Sequence, residues 1–509
     1  MTHDVAILGS SFAGSILAWI LARQGMRVLL LDREHHPRFA VGESSTPLAD
    51  MSLLRLADRW DIPVLGSLAR YGTWQESCPE LGCGLKRGFS YFRHRPAEPY
   101  HDTADRAASL LVAASATDAA SDTHWLRADV DAWLCAQARG AGADTHEGIV
   151  LERLEQGRAG WRIAWRATDT VHGTTARILV DGTGSGGAVA AAVGLDRHDD
   201  RLHTRTGAVY SHFAGVGSWD AIRQAAGDAS TLAPFRSDDA AQHHVLADGW
   251  VWMLRFRGGL TSVGIVRPTA RMTGSATAAD TAWADTLATY PAVADLLADA
   301  RPVRPLAAIA RMSRLWSRAA GPGWALLPTT CGFIDPLHST GIAHALSGVE
   351  RLASLLLAAD HDADAWERYA VGVPDEVCWI DRLVSGCYAG LPDFERFRLA
   401  CMVFFIATVT AERALGAGKS PAETGFLAAR HAALRTALAG CLDGIGSGAI
   451  PDLESLRGRL ASFDPVGLLD PQHRQRIAHT AADKSAGGAI AREPERDDRG
   501  GQPPSLITR

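Results

Sequence analysis

The first 32 residues show strand-like, loop-like and helical patterns in one specific order. Residues 5–8 are an apolar strand, residues 9–14 (GSSFAG) form a turn bounded by glycines, and residues 15–23 have a helical pattern. A second apolar strand, residues 27–31, ends in Asp32. Strand, turn, helix, strand and acid in this order predict the first unit of a dinucleotide-binding α/β fold.

Each position of this unit has a physical role in nucleotide binding. Gly9 permits the tight turn and Gly14 permits close packing of the helix on the strand, while the Asp32 carboxylate can accept hydrogen bonds from an adenosine ribose. Ser11 replaces the middle glycine of the usual motif, which is a mild departure. We therefore expect the cofactor to contact the turn and the end of the second strand, through Gly9, Ser11, Phe12, Ala13, Gly14, Asp32 and Arg33.

Composition limits the classes of function that remain. The chain has 509 residues and a net charge of −6, enough length for two or three domains and no general attraction to nucleic acid or an anionic membrane. Its longest apolar run, residues 399–409, is too short to span a bilayer and predicts a buried helix. The eight cysteines show no metal-ligand spacing and no basic segment precedes the first strand, so we expect a cytoplasmic protein with free thiols and no metal.

Pattern changes along the chain predict its domain organisation. We assign residues 1–205 and 300–360 to a discontinuous nucleotide-binding domain, and residues 206–299 to an antiparallel β region on the substrate side. Within that region Trp250 and Trp252 share one face of a predicted hairpin strand, as a core pair commonly does. Residues 361–482 are mostly helical in pattern, and residues 483–509 form a polar tail that we expect to be disordered.

Residues 331–346 (CGFIDPLHSTGIAHAL) join a predicted strand to a predicted helix. Apolar residues recur at intervals of three and four after Gly341, which indicates a helix with one buried face. Ser339 and Thr340 stand at the N-cap position, where backbone N–H groups at the positive end of the helix can bind an anion. An ordinary capped helix is the alternative interpretation of this segment taken alone.

Lysine is scarce in this chain. Of the 51 basic residues only three are lysines, Lys86, Lys419 and Lys484. Lys419 lies in a small-residue turn and Lys484 in the polar tail, whereas Lys86 precedes an aromatic strand-like segment, GFSYF, and is expected near the start of that strand. Two interpretations of Lys86 remain. It could protect a strand edge against aggregation, which is a structural role, or it could be kept because an arginine cannot do its chemistry, which is a functional role.

Three stretches read together resemble the flavin-dependent halogenases of the flavoprotein monooxygenase superfamily. The segment HPRFAVGESSTP (residues 36–47) is similar to the P-R-x-x-x-G-E-S strap that crosses the flavin, and GLKRGFSYF to the stretch that carries the reactive lysine. The segment DPLHSTG is similar to the family's D-P-L-E-S-T-G, with His338 in place of Glu. The resemblance covers about the first 360 residues and is greatest to members that act on small free phenols such as phloroglucinol.

The resemblance implies an FAD-binding Rossmann-type domain, an inserted antiparallel sheet and a helical C-terminal region. It also implies an activity: FADH2 from a separate NAD(P)H-dependent flavin reductase reacts with oxygen to a flavin hydroperoxide, which oxidises chloride or bromide. The hypohalous acid then reaches a lysine that presents the halogen to a small phenolic substrate. The residues that would bind the flavin in addition to the turn are Ser44, Ser45, Arg127, Asp181, Thr329 and Asp335.

Further roles follow from the same resemblance. Lys86 would be the reactive lysine, and Ser339, Thr340 and Gly341 would hold the halide. The His338 imidazole could take a proton from the phenol or from the ring intermediate, or could be structural. The superfamily usually has Gly-Asp where this chain has Pro328 and Thr329, so a hydroxyl replaces the carboxylate that holds the ribityl chain.

Two other functions remain open on sequence alone. A single-component aromatic hydroxylase would reduce its own flavin with NADPH, and a non-catalytic flavin-binding protein would serve a pathway enzyme as a partner. The departures at Ser11 and Thr329 leave room for the second, whereas retention of Lys86 in its motif argues against it. A homodimer is a further possibility for the assembly.

Overall fold

The computed structural model describes residues 2–103, 105–227, 234–272, 275–360, 362–447, 452–473 and 476–477. The predicted disordered tail, residues 483–509, lies outside this range. The α-helices are α1 (Phe12–Arg23), α2 (Pro47–Arg59), α3 (Pro63–Ser67), α4 (Tyr71–Ser77), α5 (Arg127–Gly140), α6 (Ala188–Ala192), α7 (Trp219–Ala225), α8 (Ala276–Thr289), α9 (Pro291–Leu296), α10 (Pro328–Cys331), α11 (Thr340–Leu357), α12 (Ala363–Gly390), α13 (Phe394–Gly416), α14 (Pro421–Thr424), α15 (Ala432–Gly446) and α16 (Leu453–Leu460).

The strands within the described residues build two main sheets and two short ladders. They are β1 (His3–Leu8), β2 (Val28–Leu31), β3 (Cys83–Lys86), β4 (Gly88–Arg93), β5 (Ser109–Ala113), β6 (Asp122–Trp125), β7 (Asp144–His146), β8 (Val150–Gly157), β9 (Gly160–Ala167), β10 (Thr170–Asp181), β11 (Thr206–Ala214), β12 (Ala241–Val245), β13 (Trp250–Arg255), β14 (Leu260–Pro268), β15 (Arg301–Pro302), β16 (Ala307–Ile309), β17 (Arg314–Leu315), β18 (Ala320–Gly321), β19 (Trp324–Leu326), β20 (Gly332–Phe333) and β21 (Arg476–Ile477).

The first sheet has the order β18-β19-β10-β1-β2-β7 with parallel pairing from β19 to β7. Residues 5–8 of β1 and all of β2 are buried, with α1 packed against both strands and α11 packed on α1. Buried strands of this kind read as continuous apolar runs. The predicted Rossmann-type unit is confirmed. The return strand β10 pairs in parallel with β1, so the loops after β1, β2 and β10 meet at one edge.

The second sheet is mostly antiparallel and has the order β15-β11-β14-β13-β12-β4-β5-β21. The predicted hairpin is present as β13 and β14. The sheet also takes in β4 and β5, which lie within the segment assigned to the nucleotide-binding domain, so the chain passes between the two sheets early. Lys86 is the last residue of β3 and not the first of β4. The prediction placed Lys86 near the start of a strand. Instead, β3 ends at Lys86 and pairs with β6, and after Arg87 the chain continues as β4, which pairs with β5 and β12.

The C-terminal region is helical, and α12 and α13 pack along each other and on the second sheet's side of the molecule. Helix α13 contains the apolar run 399–409 and is long and apolar enough to cross a membrane, but 78% of its apolar window is buried inside the protein. A buried helix of a protein core has this property, and the prediction of a buried helix is confirmed.

Candidate active site

A cavity of about 820 Å3 opens at the edge where β1, β2 and β10 end. Its size is within the range of about 300–1,000 Å3 typical of ligand sites, and its position is that of nucleotide sites in parallel α/β sheets. We call it the large cavity. Ten of the residues predicted from the sequence line it: Gly9, Ser11, Phe12, Asp32, Arg33, Ser44, Arg127, Thr329, Ser339 and Gly341.

The turn between β1 and α1 fits the backbone approach that a dinucleotide needs. Gly9 has φ +96°, and a Cβ there would lie 2.6 Å from the Gly182 carbonyl oxygen. A Cβ on Gly14 would lie 2.0 Å from the Gly9 carbonyl oxygen, so any larger residue would push α1 away from the turn. Ser11 precedes α1 and its side chain makes no capping bond, so the helix presents its N-terminus to the cavity, where phosphate groups bind.

Asp32 is ionised and already held by the protein. Its carboxylate accepts hydrogen bonds from the Ser10 amide at 2.7 Å, the Ser10 hydroxyl at 2.8 Å and the Glu34 amide at 3.0 Å. Burial alone would raise its pKa, but these bonds and the nearby Arg38 guanidinium outweigh it and lower the pKa. Three of its about four lone-pair positions are then used, and one remains for a ribose hydroxyl of a bound nucleotide.

Arg127 connects the strap to α1 and α5. Its guanidinium binds the Asp131 carboxylate through two hydrogen bonds of 2.8 Å and donates to the Val41 and Gly42 carbonyl oxygens at 3.2 and 3.1 Å. It also lies over the Phe12 ring at 4.6 Å. Because Phe12, Val41 and Gly42 line the large cavity, Arg127 shapes that wall as well as lining it, while Asp131 holds the guanidinium from behind.

Five predicted cofactor residues stand behind the cavity wall: Ala13, Gly14, Ser45, Asp181 and Asp335. Asp181 is fully buried and accepts hydrogen bonds from the Thr183 hydroxyl, at 2.6 Å, and from the Thr183 and Val189 amides, at 2.9 and 2.7 Å. Burial raises its pKa. Its carboxylate therefore shapes the loop of residues 182–187, whose members do line the cavity.

Asp335 fixes the segment that precedes α11. It accepts hydrogen bonds from the Leu337 amide and the Tyr388 hydroxyl, both at 2.9 Å, and from the Thr206 hydroxyl. Burial raises its pKa to about 6, and the three hydrogen bonds moderate the shift. The carboxylate thus joins the segment to β11 and α12, and its role toward a cofactor is indirect.

A second, much smaller cavity of about 20 Å3 lies on the other side of this segment. It has room for about one water molecule. We call it the small cavity. Aromatic and threonine side chains dominate its wall, which is formed by Thr46, Pro47, Leu48, Phe89, Val112, Ala114, His338, Thr340, Phe404, Phe405, Thr408, Val409, Glu412, Phe426 and Leu427.

The segment of residues 338–341 separates the two cavities. Ser339 and Gly341 line the large cavity, whereas His338 and Thr340 line the small one. His338 and Ser339 have φ values of +65° and +57°, a left-handed conformation that costs non-glycine residues of order 1–3 kcal/mol each. Ser339 occupies the predicted N-cap position of α11 but makes no capping bond with its side chain. The Ser339 amide donates a hydrogen bond to the Pro336 carbonyl oxygen at 3.0 Å within this turn.

The strap crosses between the cavities in the same way. Ser44 lines the large cavity and Thr46 lines the small one, with Ser45 between them. The Lys86 ammonium donates a hydrogen bond to the Ser45 carbonyl oxygen and lies 4.0 Å from the centre of the Phe89 ring, a wall of the small cavity. Lys86 is fully buried. It therefore lies in the partition between the two cavities.

The surroundings of Lys86 are polar but contain no other cation at neutral pH in the described contacts. Asp122 is opposite Lys86 in the β3–β6 ladder, which puts both side chains on one face. Burial, with a contribution from the Lys86 charge, lowers the pKa of His124 and of His243 to about 3. His243 lines the large cavity. These imidazoles are neutral at pH 7.

Both ring nitrogens of His338 face protein groups. Nδ1 lies 2.8 Å from the Tyr91 hydroxyl oxygen and Nε2 lies 3.4 Å from Cys387 Sγ. The ring stacks on Phe404 with centroids 4.2 Å apart. Burial lowers its pKa well below the usual value. A neutral imidazole with both nitrogens engaged is better placed to shape the small cavity than to accept a proton from a substrate.

Sequence reasoning missed several groups of the large cavity. Arg38 lies 3.7 Å from the Asp32 carboxylate and stands within the P-R motif, so the motif contained a signal for it. Arg197, Arg311 and Arg314 also line the cavity, but the first two come from loops and the third from the two-residue strand β17, none with a local pattern. The Trp250 and Trp252 pair, predicted as a core pair, is buried and also contributes to the cavity wall.

The strap is anchored on β11 by residues that no pattern indicated. The Phe39 ring stacks on Tyr210 at 5.9 Å, contacts His212 edge-on at 4.9 Å and lies 3.6 Å below the Arg304 guanidinium. The Glu43 carboxylate lies 2.8 Å from His212 Nε2. The strap thus contacts the second sheet on one side and the large cavity on the other.

Comparison with known proteins agrees with this geometry. The profile of the family described as tryptophan halogenase matches residues 124–388, and that of the NAD(P)-binding Rossmann-like domain matches residues 7–47. The chain is 30% identical over 445 residues to tetracycline 7-halogenase of Kitasatospora aureofaciens, covering 83% of this chain and 76% of that protein. It is 27% identical over 428 residues to monodechloroaminopyrrolnitrin halogenase PrnC of Pseudomonas fluorescens, with coverages of 80% and 72%.

Solved structures show the same fold. The crystal structure of halogenase PltM in complex with phloroglucinol and FAD superposes with a TM-score of 0.81 at 23% identity, covering 94% of this chain and all of that one. The structure of CmlS, a flavin-dependent halogenase, gives a TM-score of 0.58 at 21% identity over 77% of this chain and 66% of that one. The first comparison extends through the C-terminal helices, which the sequence resemblance did not cover.

Proposed function

The chain belongs to the tryptophan halogenase family and is a flavin-dependent halogenase, and on that premise we propose that it adds chlorine or bromine to a small electron-rich phenol by way of Lys86. The position of Lys86 between the two cavities carries this proposal. The large cavity would hold the flavin. The small cavity has room for about one water, so the aromatic side chains around it would have to move apart to receive the ring, and the lysine then lies where a halogen must pass from the flavin side to the ring.

The residues of the large cavity fit FAD. The Gly9 turn leaves space for a pyrophosphate beside the N-terminus of α1, and Asp32 offers acceptors to the adenosine ribose. Ser44, Arg127 and Thr329 line the part of the wall formed by the strap, α5 and α10. When bound in its reduced form, FAD together with oxygen supplies the oxidising power that converts halide to hypohalous acid.

We place the halide at the start of α11. Ser339 and Gly341 line the large cavity, and the backbone N–H groups of Thr340 and Gly341 lie at the positive end of an 18-residue helix. The left-handed His338 and Ser339 form the turn before this helix; the Ser339 N–H is bonded to the Pro336 carbonyl oxygen, so Ser339 would offer the halide its hydroxyl. The nearest acid of the segment, Asp335, is bonded to Thr206, Leu337 and Tyr388, so three of its about four lone-pair positions are used within the protein.

Lys86 would carry the halogen across the partition. As an amine it can take halogen from hypohalous acid with release of water, and then pass it to an aromatic carbon that loses a proton; as an ammonium it can hydrogen-bond hypohalous acid and hold it against the ring. Both routes need one nitrogen at a defined position. The Ser45 carbonyl oxygen fixes that position, and the neutral His124 and His243 do not compete as cations.

The sequence predicted His338 as a catalytic residue, or alternatively as a structural one. We propose that it is a positioning residue. Its ring nitrogens contact Tyr91 and Cys387, and its face contacts Phe404, which lines the small cavity. We propose that it holds this aromatic wall in place. A separate NAD(P)H-dependent flavin reductase as partner, a homodimeric assembly and a cytoplasmic location also belong to the proposal.

The test uses the purified protein with FAD, a flavin reductase, NADH, bromide and a panel of small phenols, read by mass spectrometry. Lys86→Arg keeps the charge and nearly keeps the bulk, while Lys419→Arg, at an exposed position, is the matched control. We expect Lys86→Arg to bind FAD and consume oxygen but to form at most a few per cent of the halogenated product, because guanidinium stays protonated and its fork directs its donors elsewhere.

Product formation by Lys86→Arg at the wild-type level would exclude the lysine from halogen transfer. Omitting the reductase distinguishes the single-component hydroxylase, which would oxidise NADPH by itself and give a hydroxylated product without halide. We expect the wild-type protein to show neither NADPH oxidation without the reductase nor a hydroxylated product without halide.

A further inference from the structure

Lys86 and Arg87 are adjacent basic residues in opposite environments. The Arg87 guanidinium lies 2.7 Å from the carboxylate of Asp118, a side chain that is 61% exposed. Lys86 is fully buried at the end of β3. Because the protein interior solvates an ammonium poorly, a buried lysine needs a negative partner or loses its proton. The state of Lys86 therefore depends on which acid the fold brings to it.

A buried aspartate stands opposite the lysine. Strands β3 and β6 pair antiparallel with Lys86 directly opposite Asp122, and such partners project from one face with Cβ atoms about 4.5–5.5 Å apart. Asp122 is fully buried. His124, on the same face of β6, is close to both charges: burial lowers the pKa of its imidazole to about 3, the Lys86 charge lowers it further and the Asp122 charge raises it. Lys86 and Asp122 thus share one buried environment.

The other groups that titrate near the lysine are neutral at pH 7 or lie on other elements. Burial lowers the pKa of His243 and His338 and raises that of the Tyr91 hydroxyl. His338 also stands where the related segment has Glu, so this segment brings no negative charge to Lys86.

Two further buried acids lie on neighbouring helices. The Asp50 carboxylate of α2 accepts a hydrogen bond from the Ser45 hydroxyl at 3.3 Å, and Glu412 of α13 lines the small cavity. Neither belongs to a strand that pairs with β3, whereas Asp122 shares a ladder position with Lys86. The backbone pairing therefore favours Asp122 as the partner of the lysine.

We propose that Asp122 is a positioning residue that keeps Lys86 as an ammonium, so that the halogen crosses the partition as hypohalous acid hydrogen-bonded to the lysine and not as a haloamine. This inference rests on the proposed function, because it takes Lys86 as the residue that presents the halogen. It decides between the two routes that the proposed function leaves open.

The ammonium route balances with the lysine alone. The ammonium donates a hydrogen bond to the oxygen of hypohalous acid. A pair of ring electrons forms the carbon–halogen bond while the halogen–oxygen bond breaks, and its electron pair leaves with hydroxide. The hydroxide takes a proton from the ammonium and becomes water; the amine so formed takes the proton that the ring carbon loses. Asp122 stays ionised throughout, and no bond forms between nitrogen and halogen.

The test reads the protonation of Lys86 by NMR. The chain has three lysines, so protein labelled with [ε-13C]lysine gives three signals, and Lys86→Arg identifies that of Lys86. We expect the wild-type signal to keep the chemical shift of an ammonium from pH 6 to pH 9. In Asp122→Asn the buried nitrogen has no counter-charge, so its signal should move to the amine position as the pH rises. Asp118→Asn removes the partner of Arg87 and is the matched control, which should leave the signal unchanged.

Product formation then tests the route. With FAD, a flavin reductase, NADH, bromide and a phenol that the wild type halogenates, the rate of Asp122→Asn relative to wild type should fall about tenfold per pH unit above the midpoint of its NMR titration and recover below it. Asp122→Glu keeps the carboxylate and should restore both the ammonium signal and the rate. A haloamine route predicts the opposite, because the amine is then the reacting form and Asp122→Asn at high pH would match or exceed the wild type.

Three NMR results would overturn the inference: a wild-type signal at the amine position, an Asp122→Asn signal that stays at the ammonium position, or a larger movement in Asp50→Asn or Glu412→Gln. FAD binding and the melting temperature establish that each variant is folded. If Asp122→Asn is not, the wild-type titration and Asp122→Glu decide, since an amine signal in either contradicts the inference. A wild-type protein that halogenates no phenol would instead contradict the proposed function, and the NMR titration would still decide whether Asp122 keeps Lys86 protonated.

Discussion

Removal of the Phe404 ring should convert the small cavity into a site that binds a phenol directly. Phe404 is 2% exposed and stacks on His338, so Phe404→Ala leaves a void of about 100 Å3 beside the existing cavity and costs about 3–5 kcal/mol. At about 2.1 cal/mol/K per residue, the unfolding entropy of 509 residues is about 1 kcal/mol/K, so the melting temperature should fall by about 3–5 °C.

A phenol should restore part of this loss because it fills the void. At a concentration about 100 times Kd, a ligand that binds only the folded state stabilises it by about 2.7 kcal/mol, or about 2–3 °C here. The assay is thermal unfolding of wild type and variant with increasing phenol. In the wild type the cavity has room for only about one water, so a larger shift is expected from the variant.

Phe397→Ala is the control for this experiment. Phe397 is on the same helix, is 1% exposed and packs on Tyr91 at 5.7 Å, but it does not line the small cavity. Its loss of stability should be similar and should not respond to phenol. If phenol stabilises both variants alike, or leaves Phe404→Ala unchanged, the ring does not bind where we place it.

Two further predictions concern the buried histidines. His338→Phe should lower kcat by the same factor from pH 6 to pH 9, because an imidazole whose pKa lies well below its usual value stays neutral over that range; a loss confined to low pH would identify it as a proton acceptor. The free energy of unfolding should fall as the pH drops from 6.5 toward 3, measured by urea midpoints at pH 7.5, 6 and 5. Burial lowers the pKa of three histidines to about 3, so they remain neutral in the folded chain while the unfolded chain takes up protons. This should lower the free energy of unfolding by roughly 1.4 kcal/mol per group per pH unit, and Asp335, whose pKa is raised to about 6, should offset part of the loss below pH 6. Stability that is constant or rises over this interval would contradict the prediction. The three are His94, His124 and His243.

Local patterns predicted the part of the site that is local in sequence. The β1–α1–β2 unit is encoded within 32 residues, and Gly9 and Gly14 are each required by a backbone contact that the motif anticipates. Lys86 was indicated by the scarcity of lysine and by its motif. The predicted strand boundary near Lys86 was wrong. The break between β3 and β4 at Arg87 depends on pairing with β5, β6 and β12, which are distant in sequence.

The remainder of the site depends on tertiary contacts that leave no local pattern. His243 and Arg314 reach the large cavity from β12 and β17, and their neighbours in sequence do not differ from ordinary strand residues. Glu412 follows a long apolar run and looks like the polar end of a buried helix until the packing of α13 places it on a cavity wall. The roles of these residues toward FAD, halide and substrate stay predictions.

The partition between the cavities also bears on how such a protein can change over evolutionary time. The wall facing the large cavity comes mainly from the first half of the chain, whereas most of the aromatic wall of the small cavity comes from α13 and the turn at Phe426. If the ring and the flavin bind as proposed, substitutions in α13 would alter which ring is accepted while the residues of the large cavity are untouched. Exchange of residues 394–428 between relatives should transfer substrate preference as a unit, and new substrates can arise without rebuilding the oxidative half of the enzyme.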